Sequence, residues 1–156
     1  SDIIQSMNSA HPYEEVAFQV YPLNNHNQFV GSGLIGELLE PVDSRSFMQS
    51  LKHVMSTSSI KHTNLVKEKI KKVAFCGGSG SFLIKKALVA GADIFITSDI
   101  KYHQFFEADD RIIIVDIGHY ESEQFTKDLL YDILTKKFTK FAFQLSKINT
   151  NPINYL

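Results

Sequence analysis

From about residue 71 onward, apolar segments alternate with segments of helical periodicity, and this alternation constrains the fold more than any other feature of the sequence. Strands are predicted at residues 73–76, 93–97 and 112–116, and helices at residues 82–90, 101–108 and 121–138. Such alternation favours right-handed βαβ units and a largely parallel sheet that is covered on both faces. The sequence therefore predicts an α/β fold, a three-layer sandwich with a mostly parallel sheet.

The last of these helices has an apolar face that we expect to pack against the sheet. Its apolar residues recur at helical spacing, and they are Phe125, Leu129, Ile133 and Phe138. Residues 141–145 then predict a closing strand. Both elements are expected to add to the core.

The first 66 residues are organised differently. Strands are predicted at residues 17–21, ended by Pro22, and at residues 33–39, with a polar loop at residues 24–28 between them. After Pro41 a helix is predicted, with Asp43 or Ser44 as its N-cap.

Composition excludes several classes of protein. Hydrophobic residues make up 44% of the 156 residues, which is enough for a core, and the net charge of −1 gives no reason to expect a nucleic-acid partner. No apolar run approaches the roughly 20 residues that span a bilayer, so no membrane partner is expected. The single cysteine, Cys76, fits a buried position and a reducing compartment, for which the cytoplasm is the default. The chain begins without Met, on residues typical of a helix already under way, so we expect a piece of a longer protein.

Three polar segments follow the predicted parallel strands. They are GGSGS at residues 77–81, SDIKYH at residues 98–103 and GHYESE at residues 118–123. In open α/β sheets, sites lie beyond the carboxyl ends of the strands. The sequence therefore predicts that these segments converge on one site.

His119 and Glu123 are four residues apart, which places them on one face of a helix, about 6 Å between Cβ atoms. Imidazole and carboxylate are common ligands of Zn, Mn and Fe. A plain hydrogen bond between the two, with Glu123 favoured by the helix dipole, explains the same spacing. The residues alone leave both interpretations open.

Asp99 and His103 repeat the four-residue spacing at the neighbouring strand end. They fit metal ligands, groups that orient a ligand, or a general base with its orienting partner, and Asp99 fits a helix cap equally well. The GGSGS segment fits an anion cradle, but a tight turn that needs glycine at positive φ is the favoured interpretation.

Six motifs in one order carry a resemblance to a known family. They are HPYEEVAFQVYPL, GSGLIGEL, VAFCGGSGSF, GADIFITSDIKYH, IGHYESE and INTNPINYL. Together they resemble the GTP cyclohydrolase 1 type 2 homolog family, also called NIF-three-like proteins, and especially its longer bacterial members. On that resemblance, residues 1–23 correspond to the end of an inserted ferredoxin-like domain, and residues 30–156 to the C-terminal half of the main α/β domain. The strand at residues 17–21 then lacks its natural partner strands, and because unpaired edges invite association we expect self-association there, or disorder of the first residues.

The resemblance implies a site with two divalent metal ions (Zn, Mn or Fe) in a longer protein. The GH-x-x-x-E motif supplies two of the ligands, which match His119 and Glu123 here. The family's adjacent histidine pair and aspartate have no match in this sequence, and Ser98 stands where the family often has glycine. We therefore expect metal binding by this chain alone to be weak or absent, and the chain alone to be inactive.

The resemblance also implies two alternative functions. One is a hydrolase that opens the ring of a purine nucleotide or a related compound with metal-activated water, for which His103 is the candidate acid/base. The other is a non-enzymatic metal-binding scaffold or regulatory protein that assembles as a ring. In either case the expected partner is a second copy of the chain, as a homo-oligomer.

Overall fold

The structure, a computed structural model, describes residues 1–22 and 30–156 and divides into two units, Ser1–Val30 and Gly31–Leu156. The first unit contains α1 (Asp2–Ala10). The second contains, in chain order, β1 (Leu34–Asp43), α2 (Ser44–Val54), β2 (Lys61–His62), β3 (Lys69–Ser79), α3 (Ile84–Val89), β4 (Ile94–Ser98), β5 (Ile113–Asp116), α4 (His119–Glu123) and α5 (Thr126–Lys137). The loop predicted at residues 24–28 lies outside the described residues.

The five strands of the second unit form one mixed sheet in the order β1-β3-β4-β5-β2. The central strands β3, β4 and β5 are parallel, which confirms the sheet predicted from the three apolar segments. The outer strands β1 and β2 run antiparallel to their neighbours, so the sheet is less uniformly parallel than predicted. Strand direction at an edge depends on how the chain returns to the sheet, and the local pattern of residues does not contain that information.

Apolar clusters lie on both faces of the sheet because successive strand residues point to opposite sides. On β4, Ile94 and Ile96 join a cluster with Met48 and Leu51 of α2. Phe95 points the other way and joins a cluster that contains residues of α3. All five residues of β4 are buried, as expected of a strand at the centre of an α/β sheet. These clusters fix the positions of the strand ends that follow them.

Local signals set the ends of several helices. The carboxylate of Asp43 accepts a hydrogen bond from the Ser46 amide at 2.9 Å, so Asp43 is the N-cap of α2, one of the two predicted positions. Gly91, at φ +70°, follows the C-cap of α3 in the left-handed conformation typical of a helix end. The helix predicted at residues 82–90 begins with a 3-10 turn at Ser81–Leu83 and continues as α3, which confirms it in large part. The helix predicted at residues 101–108 is a 3-10 helix at Tyr102–Ala108.

Two predicted strands are wrong. Among the described residues, neither 17–21 nor 141–145 forms a strand or pairs with one. An apolar segment becomes a strand only where a neighbour satisfies its backbone hydrogen-bonding groups. The residue pattern indicated strand propensity at both places, but among the described residues no neighbouring strand pairs with either segment.

The apolar face of α5 was predicted to lie inside, and it does not. The predicted helix is divided into α4 and α5, and no residue of α5 is buried. Leu129 is 60% exposed and Ile133 49% exposed. An amphipathic pattern shows that a helix has an apolar face, but not which surface covers it.

Replacement of Leu129 with glutamine is therefore expected to change the free energy of unfolding by less than about 0.5 kcal/mol, as for other exposed positions. Leucine and glutamine have similar helix propensities, so burial alone is tested. The matched variant Leu51→Gln, at a buried position of α2, should cost about 2 kcal/mol or more. Urea unfolding followed by circular dichroism measures both. Equal losses in the two variants would mean that α5 packs on a core.

No helix in the described part of the chain is long and apolar enough to cross a membrane.

Candidate functional site

The predicted convergence of the segments that follow β3, β4 and β5 is present in the structure. Asp99, just after β4, contacts His119, the first residue of α4. Gly78, near the end of β3, lies against the side chains of Glu123 and His119. The site therefore occupies the carboxyl ends of the parallel strands, where α/β folds place their sites.

His119 lies between two carboxylates. Its Nδ1 is 2.6 Å from Oδ2 of Asp99, and its Nε2 is 3.2 Å from Oε2 of Glu123. All three side chains are about half exposed. The hydrogen bond with Asp99 raises the pKa of the His119 imidazole above its usual value, and the charge of Glu123 acts in the same direction. In the protonated form, the imidazole donates to Asp99 from Nδ1 and faces Glu123 with Nε2–H.

Glycine at position 78 lets the strand approach these two side chains. Gly78 has φ +62°, a left-handed conformation that side chains disfavour, and a Cβ atom there would collide with Oε1 of Glu123. Its amide donates to the Ser122 hydroxyl at 2.8 Å, and its carbonyl accepts from the Thr97 hydroxyl at 3.0 Å. The strand end is thus held on both sides. The positive φ of Gly78 agrees with the predicted need for glycine, but β3 continues to Ser79 with an irregular register against β4, so the first three residues of GGSGS form an irregular strand end and not the predicted tight turn.

Replacing Gly78 with alanine is expected to displace the Glu123 carboxylate, because the added methyl group occupies its position. The left-handed backbone adds a cost of about 1 kcal/mol to the free energy of folding. Nuclear magnetic resonance should show shifted signals for Glu123 and His119, with most of the core unchanged. Gly36→Ala is the control, since nothing lies within 4 Å of a Cβ atom at that position. Unshifted Glu123 signals would contradict the close packing of Gly78 against the Glu123 side chain.

Asp116, the last residue of β5, holds the loops on either side of the site. It is 2% exposed, and its carboxylate accepts from the amide of Ile100 at 3.1 Å, from the amide of Gly118 at 3.0 Å and from the Lys61 ammonium at 2.8 Å. Ile100 directly follows the aspartate of the site, and Gly118 directly precedes its histidine. Asp116 therefore sets the distance between the backbone at Asp99 and the backbone at His119.

The two carboxylates of α4 point in different directions. Glu123 faces His119, whereas Glu121 is only 5% exposed. Its Oε1 lies 3.3 Å from Nδ2 of Asn151 and 3.4 Å from the Tyr155 hydroxyl, while its Oε2 is buried without a hydrogen-bond partner in the described part of the chain. Burial and the nearby charge of Glu121 raise the pKa of Tyr155. Glu121 therefore links α4 to the C-terminal segment.

His103 lies on the 3-10 helix that follows β4 and is exposed, with its ring 5.3 Å from that of Tyr102. Among the described residues, the hydrogen bonds and ion pairs of the site join Asp99, His119 and Glu123 and do not include His103. Its role as an acid/base stays a prediction.

Residues 1–22 and 30–156 contain no group of three or more His, Cys, Asp or Glu side chains arranged to hold a metal ion. The roles of His119 and Glu123 as ligands also stay predictions. Asp99 makes no cap for the helix that follows it, whose N-cap is Lys101.

Reasoning from the sequence missed four residues that build the site: Thr97, Asp116, Glu121 and Ser122. Only Glu121 had a usable signal. On a helix, position 121 lies on a different face from position 123, so the two glutamates could be expected to have different surroundings. The other three act through contacts between residues far apart in sequence, which no local pattern encodes.

The fold and the site define an α/β protein with a His–Asp–Glu cluster at the carboxyl ends of its parallel strands. The chain belongs to the Duf34/NIF3 (NGG1p interacting factor 3) family, which matches residues 4–152.

Curated relatives are similar along nearly the whole chain. A GTP cyclohydrolase 1 type 2 homolog of Staphylococcus epidermidis is 36% identical over an alignment of 150 positions, which covers 93% of this chain and 40% of that protein. The homolog of Halalkalibacterium halodurans is 32% identical over an alignment of 158 positions, which covers 99% of this chain and 42% of that protein. The chain thus spans about two fifths of the length of these relatives.

Two solved structures share the fold. A Bacillus cereus protein related to NIF3 is 32% identical, with a TM-score of 0.76 over 99% of this chain and 44% of that one. The Staphylococcus aureus protein SA1388 is 28% identical, with a TM-score of 0.77 over 99% of this chain and 52% of that one.

Proposed function

We propose that His119 and Glu123 are ligands in a dinuclear site for divalent metal ions (Zn, Mn or Fe). The observation that most directly supports this proposal is the 3.2 Å separation of His119 Nε2 and Glu123 Oε2. Two ligands that each lie 2.0–2.2 Å from one tetrahedral ion are about 3.4 Å apart, so the pair has nearly the spacing that a shared ion requires. The ion would replace the proton on Nε2 of His119.

Asp99 completes the pair as a positioning residue. A metal-binding histidine commonly donates its other N–H to a carboxylate, which fixes the tautomer and the orientation of the ring. The contact between Asp99 and Nδ1 of His119 fits this role. The chain's own residues therefore supply an oriented imidazole and a carboxylate, which are two ligands of the three that catalytic zinc usually takes from protein.

The remaining ligands are proposed to lie in a longer protein of which this chain is the C-terminal portion. The short share of each relative that the chain covers supports this proposal. In that protein, residues 30–156 would complete a three-layer α/β sandwich, and residues 1–23 would end an inserted ferredoxin-like domain. Cytoplasmic location belongs to the same proposal.

The proposed activity is metal-dependent hydrolysis of a purine nucleotide or a related compound, as the name of the curated relatives suggests. Metal ions bound there would supply an activated water molecule. His103 is proposed as the acid/base group. It is exposed and lies on the 3-10 helix that follows β4.

A non-enzymatic ring-forming scaffold is the second candidate, favoured by the exposed apolar residues of α5. Leu129, Leu130, Ile133 and Leu134 are 37–60% exposed, which suits assembly as a homo-oligomer.

Two measurements test the proposal. Calorimetric titration of Zn²⁺ and Mn²⁺ into this chain should give weak binding or none, and the longer protein should bind tightly. Incubation of the metal-loaded longer protein with GTP should change the ultraviolet absorbance of the purine if the protein is the hydrolase. Tight binding by the longer protein without turnover of GTP or related purines favours the scaffold. Tight stoichiometric binding by this chain alone would overturn the division of ligands.

A further inference from the structure

A groove of roughly 440 Å³ lies directly beside the candidate metal ligands. His119, Glu123 and Lys127 line it from the helical side, and the C-terminal segment forms the opposite wall. Its volume falls within the roughly 300–1,000 Å³ of small-molecule pockets.

The C-terminal wall is anchored although it has no regular secondary structure. Asn151 is the centre of this anchor: its side chain donates to Glu121 at 3.3 Å and accepts from the amide of Ile153 at 3.1 Å. The Tyr155 hydroxyl reaches the same buried carboxylate. Since Glu121 lies between His119 and Glu123 on α4, the wall is fixed to the element that carries the candidate ligands.

The two walls differ in chemistry. Ile148, Pro152 and Ile153 give the C-terminal wall an apolar surface. Lys127 provides a positive charge on the other side, and none of the ion pairs formed in the described part of the chain engages it. Lysine is a common phosphate ligand and binds phosphate as a point charge.

We propose that this groove is the substrate pocket of the site, and that it binds a small molecule with a ring and a phosphate monoester. The ring packs on Ile148, Pro152 and Ile153, and Lys127 binds the phosphate. The role of this molecule as a substrate rests on the proposed function, whereas its binding to the groove does not require the metal ions.

The test is a nuclear magnetic resonance titration of the metal-free chain with guanosine 5′-monophosphate, guanosine and inorganic phosphate as separate probes. The monophosphate is expected to shift the signals of residues 119–127 and 148–153. Lys127→Gln should weaken its binding about fivefold, the equivalent of one exposed ion pair, and leave guanosine unaffected. The control Lys136→Gln, on the last turn of the same helix and away from the groove, should change neither.

A second variant tests the wall. Tyr155→Phe removes the hydroxyl that reaches Glu121, and it should weaken the monophosphate and guanosine by the same factor, because it loosens the surface for the ring.

Shifts confined to other parts of the chain, or equal monophosphate affinity in the two lysine variants, would overturn the proposal. Inorganic phosphate bound as tightly as the monophosphate would overturn it too, because the ring would contribute nothing. Metal binding is measured separately, in the longer protein. If the longer protein binds metal but the monophosphate does not bind, this pocket is removed and the proposed function stands. If the monophosphate binds but the longer protein binds no metal, the pocket is supported and the proposed function is removed.

Discussion

Replacing Asp116 with asparagine is expected to lower the free energy of unfolding by about 2–4 kcal/mol, although the two side chains have nearly the same shape. The carboxylate accepts hydrogen bonds from the amides of Ile100 and Gly118 through different oxygens. Asparagine offers one oxygen and one amide group, so one buried N–H must face another donor. Leaving such a group unsatisfied costs about 1–3 kcal/mol, and the attraction of Lys61 is lost in addition.

Two controls separate these contributions. Lys61→Gln removes the ion pair alone, and because the Lys61 side chain is 66% exposed, we expect a loss below about 1 kcal/mol. Asp132→Asn, at an exposed position of α5, should leave stability unchanged. Urea unfolding of the three variants gives the comparison. A loss for Asp116→Asn no larger than that for Lys61→Gln would show that the backbone hydrogen bonds contribute little.

The central strands were predictable because their signal is local. Runs such as Ile112–Val115, bounded by turn residues and spaced by helical segments, define a buried parallel sheet without knowledge of the rest of the chain. The exposed face of α5 was not predictable in the same way. Leu129 and Ile133 have the periodicity of core residues, but whether a helix face is covered depends on partners that its own sequence does not specify.

The candidate site likewise has features that local sequence signals predict and features that depend on distant contacts. The spacing of His119 and Glu123 predicted their contact, and the rule for strand ends predicted that Asp99 would lie nearby. Which of several roles Asp99 has was left open, and the structure places its carboxylate on Nδ1 of the imidazole. The role of Asp116 could not be predicted. Its hydrogen bonds join a loop 16 residues earlier in the chain to the turn that follows Asp116 itself.

Replacing His119 with alanine is expected to have the opposite profile: metal binding is lost while stability changes little. The imidazole is about half exposed, so its contacts with Asp99 and Glu123 are screened by solvent and contribute little to the folding free energy. A ligand, however, is removed outright. Loss of an outer partner such as Asp99 typically costs about 10–100-fold in metal affinity, so loss of the ligand itself should exceed 100-fold in the longer protein. In this chain alone, any weak binding of Zn²⁺ should fall below detection.

Competition with a chromophoric chelator measures this affinity, and circular dichroism verifies the fold of each variant. His53→Ala is the matched control, since it removes an exposed imidazole from α2, outside the site. Asp99→Asn should fall between this control and His119→Ala, because the ring keeps its ligand atom and loses only its orienting charge. If, in the longer protein, His119→Ala binds Zn²⁺ as well as the His53→Ala control does, the cluster of Asp99, His119 and Glu123 is a structural hydrogen-bond network. The interpretation of its 3.2 Å separation as ligand spacing would then be wrong.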